Sequence, residues 1–137
     1  MENFTILIAD RDAENLSLIK SLGVKEGCQC VTAASGKDAQ QILSRQRFDL
    51  LIVAEALPDI SGGRIAKWLR GAPLNSRAPF ILLNYGLNYR EFEREKIYDA
   101  VHSLFPTPIN AGQLSNLIKI FVLLRTRPAE AESSGAG

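Results

Sequence analysis

The stretch FDLLIVAEALPDISGG, residues 48–63, decides the fold. Its first seven residues form an apolar run with almost no polar alternation, the pattern of a strand covered by helices on both faces. A loop holding Pro58 follows, and then Gly62 and Gly63 open the helical pattern GGRIAKWLRG. A strand sealed on both faces needs a layer of helices on each side, so the unit around this stretch is a parallel sheet.

Working outward, short apolar segments recur at a regular interval: FTILIA (4–9), CVTAA (30–34), PFILLN (79–84) and AVHSLF (100–105). Helical segments alternate with them. In DAENLSLIKSLG, Leu16, Ile19 and Leu22 recur every three residues, Asp12 is placed to cap the start and Gly23 to close the end. In SGKDAQQILSRQ, Ser35 and Asp38 have capping-box spacing, and Ala39, Ile42 and Leu43 share a face. GGRIAKWLRG places Ile65, Trp68 and Leu69 on one side. The last segment, NAGQLSNLIKIFVLL, offers Leu114, Leu117, Ile118 and Phe121, with Asn110 and Gln113 suited to cap it. The fourth segment, LNYREFEREKIYDA, has no clean apolar stripe and is expected to be short, mobile or much exposed. The whole reads as (βα) repeated five times, an α/β doubly wound five-stranded parallel sheet with helices on both faces. Residues 1–124 make one domain, and the tail RTRPAEAESSGAG (125–137), without apolar period, reads as a disordered end or linker.

Composition excludes several function classes. Sixteen basic and fifteen acidic residues leave a formal charge of +1, so no long-range field draws the chain to nucleic acid or an anionic membrane. No apolar run is long enough to span a bilayer, and no membrane insertion is expected; the chain reads as cytoplasmic. Cys28 and Cys30, one residue apart, suit neither a disulfide nor a zinc site and read as small half-buried strand residues. His102, the single histidine, reads as an ordinary polar side chain beside a strand.

In a doubly wound sheet the functional crevice lies at the carboxyl ends of the strands. Those positions hold Asp10, Arg11 and Asp12; Ala54, Glu55 and Ala56; Asn84 and Tyr85; and Thr107 with Pro108. Four stretches there, ILIADRDAEN, FDLLIVAEALPDISGG, PFILLNYG and LFPTPIN, resemble the receiver domain of two-component response regulators and hybrid histidine kinases, over residues 4 to 122. The resemblance implies the flavodoxin-like strand order 2-1-3-4-5. It also implies a site in which two first-turn acids and a phosphoacceptor aspartate bind Mg²⁺, with a Ser or Thr and a Lys contacting the phosphoryl group.

The family places its acceptor four residues before the loop proline and eight before a glycine, and both counts fall on Ala54. Alanine is neither nucleophile nor metal ligand. The acidic pair falls on Asp10 and Arg11, the switch hydroxyl on Asn84, the lysine on Thr107 and the strand-five aromatic on Leu104. Glu55 points differently from an acceptor by strand alternation, Asp12 is better used as a helix cap, and Tyr85 would crowd the phosphodonor entry. These readings give a degenerate receiver, or pseudo-receiver: no catalytic residue, no Mg²⁺ or other cofactor, and not an enzyme. Arg11 is expected to replace the metal as a fixed cation paired with Asp10 or Glu55, the alternative being that it projects into solvent.

The function this implies is phosphorylation-independent protein contact, with a histidine kinase or another signalling domain as partner. In the family the face of helix four, strand five and helix five mediates dimer and output contacts; here it brings Tyr89, Arg90, Phe92, Arg94, Tyr98 and Leu104, and a homodimer through it is one expectation. Two alternatives stand beside this: a receiver variant sensing a small ligand such as a cyclic dinucleotide, through Arg11, Arg90, Arg94 and nearby tyrosines, and a receiver that is still phosphorylated.

Overall fold

The computed structural model describes residues 3–84, 90, 93 and 96–125, with Tyr98 described by its backbone alone. Five parallel strands lie in the order β2-β1-β3-β4-β5: β1 (Thr5–Ala9), β2 (Gln29–Ala33), β3 (Leu50–Ala54), β4 (Phe80–Asn84) and β5 (Ser103–Pro106). The expected architecture and strand order are therefore observed. Helices α1 (Ala13–Lys25), α2 (Gly36–Leu43) and α3 (Gly62–Arg70) follow the first three strands, and a C-terminal helix (Ala111–Arg125) follows β5.

The unbroken apolar runs have a simple cause. Leu7, Ala9, Leu51, Val53, Phe80 and Leu82 pack on one face of the sheet with Ala39, Leu43, Ile65 and Leu69 of α2 and α3. Their strand neighbours Ile6, Ile8, Leu50, Ile52, Ile81 and Leu83 pack on the other, with Ile19, Leu114 and Ile118 of α1 and the C-terminal helix. Because side chains alternate, two buried faces require an apolar residue at every position. All five residues of β3 are fully buried. Truncating one such leucine to alanine costs about 2–5 kcal/mol.

Several helix signals are found as expected. Asp12 accepts from the Glu14 amide at 2.9 Å, Ser35 from the Asp38 amide at 3.1 Å and Asn110 from the Gln113 amide at 2.9 Å. Two others differ. Helix α1 runs through Gly23 to Lys25, and the left-handed turn that ends it is supplied by Gly27 at φ 82°. Gly23 is instead a contact point: a Cβ there would come within 2.6 Å of Cys30 Sγ. Trp68 does not join Ile65 and Leu69 in the core but lies 36% exposed on the outer side of α3, whose inward face is already filled by Ile65, Ala66 and Leu69.

The last strand begins three residues later than the apolar run suggests. Ala100 belongs to the turn before it, where Arg70 holds the Ala100 carbonyl through Nε at 2.9 Å and Nη2 at 2.6 Å. Of the fourth helical segment, Tyr89, Phe92 and Arg94 lie outside the described residues; Arg90 is exposed, and the segment closes in a 3₁₀ turn at Ile97–Asp99 whose Ile97 is buried. The tail assignment also lies outside the described residues, except that Arg125 is the last residue of the C-terminal helix, 3.6 Å from the Asp49 carboxylate. Among the described residues no helix is long and apolar enough to cross a membrane.

Candidate functional site

Parallel pairing brings the strand ends to one edge. Ala9 pairs with Val53, Ala54 with Leu83, and Asn84 with Pro106, so Asp10, Ala54, Asn84 and Thr107 stand in a row across four neighbouring strands. Beside the first of them lies a cleft of about 260 Å³ lined by Asp10, Arg11, Asp12 and Ala56.

Asp10 is fully buried. Its amide donates to the Ala33 carbonyl at 3.1 Å; its Oδ1 accepts from the Asp12 amide at 2.9 Å and its Oδ2 from Asn15 Nδ2 at 3.2 Å. The carboxylate thus braces the first turn of α1, and a buried charge is tolerable because its oxygens receive hydrogen bonds. Arg11 is exposed on the rim of the same cleft, and it forms no ion pair with Asp10 or Glu55 among the described residues. The expected internal cation is corrected here. Arg11 follows the strand's last inward position, and its side chain turns to water, where a guanidinium is best solvated.

Ala54 is completely enclosed, packed with Leu83, Phe105 and Leu57. Its carbonyl lies against the start of α3, where a Cβ on Gly62 would collide with it. The glycine eight residues after Ala54 is therefore required by close backbone approach. Glu55 leaves the strand with its backbone amide donating to the Leu83 carbonyl at 2.8 Å and its Oε1 accepting from the Gly63 amide at 2.8 Å. Its carboxylate sits at the positive end of α3. Asp59 fixes the other side of the loop: Oδ1 accepts from Gly36 and Ile60 amides at 2.7 and 2.8 Å, and Oδ2 from the Lys37 amide at 2.9 Å. These amides hold its carboxyl below the ordinary carboxylate range. One loop thus caps two helices, a role that sequence reading did not assign to Asp59.

Asn84 ends β4, and its Oδ1 is buried without a hydrogen-bond partner among the described residues. Its backbone carbonyl accepts from Thr107 Oγ1 at 2.8 Å, so the Thr107 hydroxyl ties the ends of β4 and β5. Thr107 precedes Pro108 across a cis peptide bond. Leu104 is half-buried against the α2 and α3 side of the core. Tyr85 lies outside the described residues.

The two cysteines are not part of this edge. Burial pushes the Cys28 thiol up to about 11 and raises that of Cys30, so neither supplies a thiolate near neutral pH. Among the described residues no group of three or more His, Cys, Asp or Glu side chains could hold a metal ion. The residues at the cleft fit Mg²⁺ poorly: Asp12 caps α1, Glu55 serves α3, the Ala54 side chain offers no donor atom and its carbonyl is packed against Gly62, which leaves Asp10 as the one carboxylate without a helix amide to cap.

A family model described as the response regulator receiver domain matches residues 6–117. Sporulation initiation phosphotransferase F of Bacillus subtilis is 27% identical over 126 residues, covering 92% of this chain and 99% of that protein. Transcriptional regulatory protein AfsQ1 of Streptomyces coelicolor is 37% identical over 78 residues, 57% of this chain; the match spans only 33% of that protein's length. Among solved structures, the chemotaxis response regulator CheY4 of Vibrio cholerae superimposes with a TM-score of 0.77 at 18% identity, over 88% of this chain and 99% of that one. The receiver domain of the sensor histidine kinase PA1611 of Pseudomonas aeruginosa PAO1, which carries a magnesium ion coordinated in its active-site cleft, gives 0.74 at 21%, over 88% and 98%.

Proposed function

The chain belongs to the response regulator receiver domain family of two-component signalling, and from that premise we propose that it is a degenerate receiver, acting by contact with a protein partner and without being phosphorylated. The observation that carries this reading is Ala54, the residue at the end of β3 where the family's spacing puts the phosphoacceptor. A methyl group has no lone pair to attack a phosphoryl donor and none to hold a metal. Arg11 adds a positive charge at the cleft where the family has a second carboxylate, which disfavours a divalent cation. The Thr107 hydroxyl, in place of a lysine, has no charge to offer a phosphoryl group and already donates to Asn84. On this reading neither Mg²⁺ nor any other cofactor is used, and the chain is not itself an enzyme. A phosphotransferase role of the kind the Bacillus relative is named for would need an acceptor elsewhere.

The partner we propose is a histidine kinase or another signalling domain, met in the cytoplasm through the face that includes Arg90 and Leu104, with Tyr89, Phe92, Arg94 and Tyr98 as its further members. The receiver-like domain is proposed to span residues 1–124, with 125–137 as a tail or linker. Incubation with radiolabelled acetyl phosphate and Mg²⁺ tests the central claim: no label should be retained, and acid-labile incorporation would overturn it. Neither Mg²⁺ nor beryllofluoride should move the melting temperature. Capture from the source organism's own extract, with and without substitutions across residues 86–99, tests the contact surface; a partner retained equally by both would rule that face out.

A further inference from the structure

Trp68, the chain's single tryptophan, faces outward from α3, and opposite it runs one polar stripe of α2 and the turn that follows. Lys37, Gln40, Gln41, Ser44 and Arg45 recur at i, i+3, i+4, i+7 and i+8, so they lie on one side of the helix, and with Trp68 they line a groove of about 630 Å³. No lining residue is acidic. Lys37 and Arg45 are exposed and ion-pair with no carboxylate among the described residues, where the Arg45 side chain hydrogen-bonds only through Nε, to the Gln41 carbonyl at 3.3 Å. Helix α3 contains no acid, and the one acid of α2, Asp38, is not among the groove's lining residues.

We propose that this groove binds a small nucleotide. Three kinds of group stand within one open pocket, and each answers a different part of such a ligand. The indole of Trp68 gives a flat apolar face on which any nucleobase stacks. Lys37 and Arg45 give positive donors for a phosphate, the terminal nitrogens of Arg45 bonding to none of the described residues. Gln40 and Gln41 give carboxamides, each able to donate and accept, for the edge of a base. An acidic peptide would use the two cations but not the stacking face or the paired amides. None of these residues belongs to the strand-end cleft, so this inference and the degenerate-receiver reading can fail separately.

The single tryptophan makes the test direct. Fluorescence of the full chain, excited on the red edge of the tryptophan band with N-acetyltryptophanamide as inner-filter control, is titrated with GMP, AMP and cyclic di-GMP, and separately with guanosine, inorganic phosphate and a short polyglutamate. A stacked base should quench Trp68 saturably for at least one phosphorylated ligand, with guanosine and phosphate at least tenfold weaker. Arg45→Glu and Lys37→Glu, both at exposed positions, should each weaken binding at least tenfold while leaving the melting temperature in place. Trp68→Phe, followed by calorimetry, should bind more weakly than the parent. Preference between the mononucleotides and the cyclic dinucleotide identifies the ligand's source. Absence of quenching at millimolar ligand, an equal response to polyglutamate or phosphate, or undiminished binding by Arg45→Glu would overturn the proposal.

Discussion

Asn75 and Asn84 put the same amide into opposite circumstances. Asn75 is buried at φ 62°, and both ends of its amide are bonded: Oδ1 accepts from the Phe48 amide at 2.8 Å, and Nδ2 donates to the Leu43 and Gln46 carbonyls at 2.9 and 2.8 Å. Asn84 Oδ1 is buried with no hydrogen-bond partner among the described residues. Asn75→Ala should therefore cost about 3 kcal/mol in denaturant unfolding, since it strands two buried backbone groups and a part-buried third, whereas Asn84→Ala should cost under about 1 kcal/mol. Equal costs would refute the distinction. His102 is a second case. Its Nδ1 accepts from the Phe80 amide at 3.1 Å, and burial, then the Arg70 guanidinium 3.5 Å away, push its pKa below the ordinary 6.5. The unfolded chain therefore takes up the proton first; the stabilisation is complete above pH 6.5 and is lost as pH falls below it. Between about pH 7 and about pH 5 the parent should lose stability more steeply than His102→Gln. At the strand-end edge, Ala54→Asp should lower stability by about 3 kcal/mol or more, because the site is sealed from water, and should gain no acetyl phosphate labelling. Sequence reading could place Asp10, Asp12 and Ala54, whose meaning depends on near neighbours. It could not place Asn75, Asp59 or Arg70, because their partners are 20 to 30 residues away or are backbone atoms with no side-chain signature.

At the scale of elements, caps and periodicity told where helices begin, and side-chain alternation told how strands are buried. Where helices end and which face they hide were less legible. Gly23 has the residue type of a helix stop, but its use is to admit Cys30, a contact between elements that no local pattern announces. Trp68 shares a helical phase with Ile65 and Leu69, yet a nine-residue helix against this sheet has room inward only for the smaller side chains. Gly62 is the reverse instance, a glycine whose spacing pointed correctly to the loop but whose cause lies in the Ala54 carbonyl. Gly62→Ala should force α3 away from β3 and cost about 2 kcal/mol or more, visible as a lowered melting temperature. A neutral result would mean that helix and strand are free to separate.

Across the whole molecule, the order of strands is what gathers residues scattered along the chain at one edge. Arg11, Ala54, Asn84 and Thr107 are far apart in the chain, and the parallel sheet sets them side by side. At the other edge, Arg125 reaches Asp49, and its guanidinium carbon stands 6.0 Å from the ring centre of Phe4. Residue 4 opens the first strand's approach and residue 125 closes the last helix, so these two points lie side by side, a gap that one short link would close into a ring. Sealing that link with a short Gly/Ser linker and reopening the ring between Pro73 and Leu74 should give a permuted chain with the same sheet, checked by its circular dichroism and a cooperative melt. The domain can then be spliced between two other segments like a bead on a thread, its entry and exit side by side and the carboxyl ends of its strands facing away from both.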